Sequence, residues 1–218
     1  MASAELEVCE IYQSIQGEGT RAGGRCVFVR LAGCNLRCAY CDTQYAQDNE
    51  EAVRMPVGDV LDTVAEFGCP LVEVTGGEPL LQPGTAHLLE RLLAVPHEVL
   101  LETNGSMDIG SVPSGITRIV DVKTPGSGMV DRNLWSNMGL LTQHDEVKFV
   151  LCGRSDYEWA LNVVNEHRLD RTTTVLFSPA RGRLAARRLA EWIVADGVDV
   201  RLNLQLHRIL WPDRDRGV

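Results

Sequence analysis

No apolar run in this 218-residue chain approaches the roughly 18 residues that span a bilayer; the densest stretches, such as Val99-Leu100-Leu101, are short and bounded by charge. The start of the chain, from Met1 to Val8, has neither the basic nor the apolar segment of a secretory signal. A soluble, cytoplasmic protein with no membrane partner is expected. Positive charge is also short: 21 Lys+Arg stand against 30 Asp+Glu, a formal net charge of −9. Phosphate backbones are bound through basic patches, so no nucleic-acid partner is expected. Repeats, low-complexity tracts and linkers are missing, and with 44% hydrophobic residues the chain fills one ordinary core. It reads as a single domain over residues 1–218, with a loose polar tail at 213–218. The seven cysteines are odd in number and too sparse for a disulfide scaffold, so the thiols read as reduced.

Short β-branched runs bounded by Gly, Pro or charge recur at 26–32, 71–75, 98–103, 117–122, 146–151, 173–177 and 199–204, with a further candidate at 7–12. Helical periodicity lies between several of them. At 57–67, Val60, Val64 and Phe67 share one face; at 184–195, Ala185, Leu189, Trp192 and Ile193 do so, with Arg183, Arg187 and Arg188 mostly off it. Residues 84–93 and 156–167 supply two more helices. This alternation predicts an α/β fold: parallel strands, outer helices, and functional groups at the carboxyl ends of the strands. A complete eight-unit barrel takes about 250 residues, so a partial, pruned TIM-like barrel is expected.

After the first strong strand come Cys34, Cys38 and Cys41, spaced C-x3-C-x2-C. Offsets of four and seven also mark one helix face, but Gly33 and the Asn, Asp and Thr within the segment favour turns over a helix interior. Three clustered thiolates demand a soft cation, either zinc or an iron-sulfur cluster. Structural zinc takes four ligands, and Cys9, Cys26, Cys69 and Cys152 are isolated in apolar segments, without x2 to x4 partners; they read as packing thiols. Three ligands with one corner open suit a 4Fe-4S cluster whose fourth iron binds a further ligand.

A second element is Thr75-Gly76-Gly77-Glu78-Pro79 at a strand end, where glycines let backbone carbonyls approach an ammonium and Glu78 adds negative charge. Glu102-Thr103-Asn104-Gly105, the segment Lys123-Thr124-Pro125 and Ser178-Pro179 follow later strands, where a barrel gathers ligand contacts. The cysteine loop with aromatic Tyr40 and the Gly-Gly-Glu element together resemble the radical S-adenosylmethionine (SAM) superfamily. The resemblance implies that SAM chelates the open iron and is cleaved by one-electron reduction to a 5′-deoxyadenosyl radical that abstracts a hydrogen atom. Such chemistry needs no general base, so catalytic groups beyond cluster and SAM are not required.

Arg30 lies inside the apolar strand Phe28-Val29-Arg30-Leu31, a few positions from the cysteines, and needs an anionic partner: a structural carboxylate or a substrate's. Together with Ile15-Gln16-Gly17-Glu18-Gly19, Asp42-Thr43 and Gln205-Leu206-His207-Arg208, the chain resembles the 7-carboxy-7-deazaguanine synthase family over nearly its whole length. That resemblance implies a carbon-nitrogen lyase contracting 6-carboxy-5,6,7,8-tetrahydropterin to 7-carboxy-7-deazaguanine with loss of ammonia, in queuosine biosynthesis. It implies a 4Fe-4S cluster on Cys34, Cys38 and Cys41, and SAM against Tyr40, Cys41, Asp42, Gly76, Gly77, Glu78, Lys123, Thr124, Pro125 and Ser178. It further implies Mg2+ on Thr43, and the pterin against Ile15, Gln16, Gly17, Glu18, Arg30, Thr75 and His207. A homodimer and an electron donor such as flavodoxin or ferredoxin complete the expectation. The family's short forms end near a proline a few residues after the histidine, whereas Trp211-Pro212 is followed here by the tail. The alternatives are a glycyl-radical enzyme activase, which would need neither Arg30 nor the Gly-rich loop, and a zinc-stabilised binding module.

Overall fold

The computed structural model describes residues 4–218. Its strands are β1 (Glu5–Ile15), β2 (Arg25–Leu31), β3 (Val53–Pro56), β4 (Leu71–Gly76), β5 (Glu98–Thr103), β6 (Thr117–Val122), β7 (Glu146–Leu151), β8 (Thr174–Pro179) and β9 (Arg201–Leu202). The helices are α1 (Val57–Glu66), α2 (Gly84–Leu93), α3 (Arg154–His167), α4 (Leu169–Thr172), α5 (Ala186–Asp196) and α6 (Leu206–Leu210). One sheet runs in the order β3-β1-β2-β4-β5-β6-β7-β8-β9, with β3 and β9 as unpaired edges. From β2 to β9 every pairing is parallel. The sheet is therefore an open α/β arrangement, as the pruned barrel predicts.

The expectation of parallel strands fails at one edge. β1 pairs antiparallel with both β2 and β3; for β2 this follows because the connection at 16–24 is too short for the dozen or more residues of a parallel crossover. β3 was not foreseen: its Val-Arg-Met-Pro has no alternating pattern and forms only by pairing with the start of β1. β9 is shorter than the expected 199–204, and His207 lies on the short helix α6 that follows it.

Alternation along the strands separates two faces. Val72, Val74, Val99 and Leu101 pack outward with Val60 and Val64 of α1 and Leu88, Leu89 and Leu92 of α2. Val147, Phe149, Val175 and Phe177 pack with Tyr157, Ala160 and Val164 of α3 and Leu189 of α5. Each such side chain stabilises the fold by about 1.5–3 kcal/mol on full burial. Residues facing inward form a small apolar group near the strand starts, Cys26, Phe28, Leu71, Leu100 and Ile119. Further along the same strands, and on β7, the inward positions become charged: Arg30, Glu73, Glu102, Asp121, Lys123 and Lys148.

Residues 213–218, expected to be loose, are anchored. Arg208 meets Asp215 at 2.8 Å, Arg216 meets Glu51 at 2.6 Å, and Arg216 lies 4.3 Å over the Tyr45 ring. The Gly217 amide donates to Glu10 Oε2 (3.1 Å) and the Tyr12 hydroxyl to the Val218 carbonyl (3.2 Å). The tail holds because its alternating charges meet opposite charges at the mouth of the half-barrel.

Candidate functional site

The cysteine loop leaves β2 at Gly33, which takes a positive φ of 86°. No helix forms between Leu31 and Gln44, so the three cysteines do not share a helical face. All three thiols are half-buried and free, and all line one pocket at the carboxyl ends of the strands. The loop is pinned at Ala39, whose amide donates to Ser127 O (2.9 Å) and whose carbonyl accepts from Arg183 Nη2 (2.7 Å). Burial pushes the Cys38 thiol up to about 11; Lys123 opposes the shift, while Asp121 and the other two thiols add to it. A cationic cluster would relieve that crowding, so the donor set fits an iron-sulfur group. A mononuclear metal needs ligands converging on one point, and no group of three or more His, Cys, Asp or Glu side chains does so among the described residues. Thiolates that each bind a different iron need not converge. Cys26 and Cys69 are buried, Cys9 and Cys152 are half-buried, and all four are free thiols away from the pocket lining.

The Gly-Gly-Glu element is spliced into the base of this loop. Gly77 N donates to Leu31 O (3.0 Å) and Glu78 N to Gly33 O (2.8 Å). A Cβ at Gly76 would lie 2.1 Å from Leu31 O, and one at Gly77 would lie 2.2 Å from Gly33 O. The glycines are thus required by backbone packing as well as by approach to a ligand, and both reach the pocket. Glu78 corrects the sequence reading. Its carboxylate is fully buried, accepts from Leu80 N, Thr103 Oγ1 and Asn104 N, and does not line the pocket. It caps the turn at Pro79–Leu81, leaving the approach of an ammonium to the glycine backbone.

Thr124 and Pro125 also fall outside the lining; the Thr124 hydroxyl is used on Val150 O (2.9 Å) and Asp156 Oδ2 (3.2 Å). Lys123 does face the pocket. Burial alone would lower its pKa, but Asp121 Oδ2 at 2.9 Å outweighs this and keeps it protonated. The other Asp121 oxygen, Oδ1, is buried with no hydrogen-bond partner, an orphan acceptor at the place expected for SAM. Ser178, Tyr40, Cys41 and Asp42 line the same pocket, with Asp42 accepting from Gln205 Nε2 (2.8 Å). Thr43 makes no capping hydrogen bond to the turn that follows it, so its hydroxyl is not consumed as a cap.

The connection at 16–24 folds into the half-barrel. Gln16 and Glu18 line the pocket; Ile15 and Gly17 do not. Gly17 supports His207 instead: a Cβ there would lie 2.2 Å from His207 Nδ1. Burial holds His207 below its usual range, so its ring is neutral at pH 7. Arg30 already has a resident anion, with Nε 3.2 Å from Glu10 Oε1 and Nη2 3.2 Å from the Tyr12 hydroxyl, so the structural pairing is realised. It also borders the pocket, as does Thr75. These two contacts leave donors of its five-donor fork for a ligand carboxylate.

Glu73, Asp121 and Lys148 are not among the residues the sequence points to, and Glu102 is marked there only as part of a strand-end segment. Each carried a signal, since a charge at an inward position of an apolar strand raises the same question as Arg30. Burial, then Glu102, push Glu73 up to about 8, while Gln16 Nε2 holds its Oε2 in a short hydrogen bond. Folded Glu73 therefore keeps its proton where an unfolded Glu has lost it. Its contribution to stability falls as pH rises from the unfolded value of 4.5 to about 8 and is flat above. Glu73→Gln should therefore stabilise the fold relative to the parent by a margin growing from pH 5 to pH 8. The margin should reach a few kcal/mol, each pKa unit being worth about 1.4 kcal/mol. Thermal melts across that range check it; a constant difference would show that Glu73 is ionised.

A model of the radical SAM superfamily matches residues 29–177. The 7-carboxy-7-deazaguanine synthase of Chlorobaculum tepidum is 42% identical, across 99% of this chain and 98% of the relative. That of Koribacter versatilis is 40% identical, across 98% and 100%. The crystal structure of QueE from Escherichia coli superposes with a TM-score of 0.75 over 92% of this chain and 94% of that one, at 22% identity, a likeness of fold.

Proposed function

Because this chain belongs to the radical SAM superfamily, and within it to the 7-carboxy-7-deazaguanine synthase family, we propose that it contracts 6-carboxy-5,6,7,8-tetrahydropterin to 7-carboxy-7-deazaguanine with loss of ammonia. The observation that carries the reading is that the cysteines, Arg30, Thr75, Gln16, Glu18 and His207, far apart in sequence, line a single pocket. When bound, a 4Fe-4S cluster on Cys34, Cys38 and Cys41 with SAM on its open iron supplies the one-electron cleavage that initiates hydrogen-atom abstraction.

The chain's own groups bind and orient. Gly76 and Gly77 offer backbone, and Lys123 and Ser178 offer donors, to the amino-acid and sugar parts of SAM, with Tyr40, Cys41 and Asp42 beside them. Arg30 takes the pterin carboxylate with the donors that Glu10 and Tyr12 leave over. Glu18 accepts from the aminopyrimidinone edge, Gln16 lies beside it, and neutral His207 closes that side. Thr43 contributes one oxygen to Mg2+, which retains waters and takes substrate oxygens for the rest. The family resemblance supports the remaining parts of the reading: a homodimer, a flavodoxin- or ferredoxin-like electron donor, and a cytoplasmic setting.

Anaerobically reconstituted protein should be brown, hold about four irons per chain, and form the carboxydeazaguanine from the pterin with SAM, reductant and Mg2+. Mass spectrometry of the product checks this. Cleavage of SAM without that product would overturn the substrate, and a colourless protein with one zinc would overturn the radical chemistry.

A further inference from the structure

The charged interior of the half-barrel contains a cation to which the reading above gives no role. Lys148 Nζ lies 3.1 Å from Glu18 Oε2, in a short hydrogen bond with Glu102 Oε1, and 4.0 Å from Asp121 Oδ2, with only 8% of its side chain exposed. Those carboxylates come from three places: the connection at 16–24, β5 and β6. Because the sheet is open, no strand pairing fixes that connection against β5 to β7. At its outer end Thr20 bonds the Glu146 carboxylate on β7 and Arg21 pairs with Glu98 on β5; inside the pocket, Lys148 makes the link at Glu18. Glu18 is further held by Asn203 Nδ2 and Gln205 Nε2, each at 3.0 Å. The second Glu102 oxygen accepts from Thr75 Oγ1 at 2.9 Å. Two groups that face the pterin, the Glu18 carboxylate and the Thr75 hydroxyl, are therefore aimed through one ammonium.

Stability is a poor reason for such an arrangement, since a buried ion group is often no better than apolar residues of the same volume. Its electrostatic consequence is specific. Burial would raise Glu102, but Lys148 outweighs it and holds this carboxyl at about 2. Burial would lower Lys148, but Glu102, Glu18 and Asp121 keep it protonated.

We propose that Lys148 is a positioning residue for the pterin, fixing Glu18, and Thr75 through Glu102, so that carboxylate and hydroxyl oxygens meet the amino and ring N–H donors of the aminopyrimidinone edge. This rests on the pterin reading. It selects for a donor-rich edge and against a 2-oxo analogue, whose oxygen would face the Glu18 carboxylate.

The test is a double-mutant cycle of Lys148→Met and Glu18→Gln, read by KM and kcat for the pterin and the 2-oxo analogue, with SAM affinity and iron content as controls. Lys148→Met should raise the pterin KM about 10- to 100-fold, change kcat far less, shrink the discrimination against the analogue and leave both controls unchanged. Glu18→Gln should add little in the Lys148→Met background, because the two act as a unit. Because Lys148→Met strands buried carboxylates, Lys148→Met/Glu102→Gln is measured beside it. That pair removes one charge of each sign and should fold while keeping the raised KM. Additive effects, or a parental KM in the folded pair, would overturn the assignment. Failure of the parent enzyme to convert the pterin would remove the pterin reading and the assignment together; normal parental turnover with an additive cycle removes the Lys148 assignment alone.

Discussion

Replacing Cys38 with Ala is expected to give a folded protein that retains no complete cluster, cleaves no SAM and forms no product. Cys38 sits in a turn-rich loop, half-buried, where its side chain fills little core volume. A three-thiolate site has no ligand to spare: with one removed, the described residues offer no further cysteine at the pocket, because Cys9, Cys26, Cys69 and Cys152 lie elsewhere. Cys69→Ala should behave in the opposite way. Its thiol is buried in the outer core and contacts Arg25 O at 3.2 Å. Iron content should be unchanged and stability should fall by about 1 kcal/mol, the common size of such losses. Iron and sulfide analysis with thermal melts of the two variants separates the roles. Parental iron content in Cys38→Ala would end the cluster assignment.

Gly77→Ala should be nearly as damaging, although it removes no functional group. The added methyl would meet Gly33 O at 2.2 Å and Ala46 O at 2.6 Å, both backbone atoms that cannot rotate away. Either β4 or the base of the cysteine loop must move. Overpacking of this kind costs about 1–3 kcal/mol, and the movement falls on the hydrogen bonds that set the loop, Gly77 N to Leu31 O and Gly33 N to Ala46 O. SAM affinity should drop by at least about tenfold, a misplacement of 1 Å being worth about 100-fold. Gly58→Ala in α1 is the control. It has open space around it and sits in a helix, so it should stabilise by about 0.5–1 kcal/mol without touching SAM binding. Equilibrium binding of SAM with calorimetry distinguishes the two, and parental affinity in Gly77→Ala would mean that the loop tolerates the shift.

Much of the fold was legible because it depends on local period. The β-branched runs became β2 and β4 to β8, and the apolar faces of 57–67 and 184–195 became α1 and α5, with Val60, Val64 and Leu189 buried as their spacing requires. The antiparallel β1 and β3 were not legible as such. The direction of β1 against β2 follows from a short connection, and β3 forms by contact with the start of β1; neither is a periodic signal. Within the site, C-x3-C-x2-C and Gly-Gly could be read because spacing and residue type carry their chemistry directly. Glu78 sits in the Gly-Gly-Glu element and Thr124 in the Lys123-Thr124-Pro125 segment, yet their side chains turn to cap a turn and to bind Val150 O. A motif fixes backbone position more firmly than the direction of each side chain.

By itself, the sequence determined the cluster thiols, the strand–helix alternation, the family, and Arg30 as a charge that must be answered. Only the tertiary structure decided who answers it, placing Glu10 and Tyr12 beside it from an antiparallel neighbour. Only there do Glu18, Glu102, Asp121 and Lys148, spread over 131 positions, become one ion group. The reason is physical: thiol chemistry and helical period are properties of residues and short segments. A buried charge, in contrast, is defined by its partners, and those are supplied by sheet register, such as the pairing of Asp121 with Lys148 across β6 and β7.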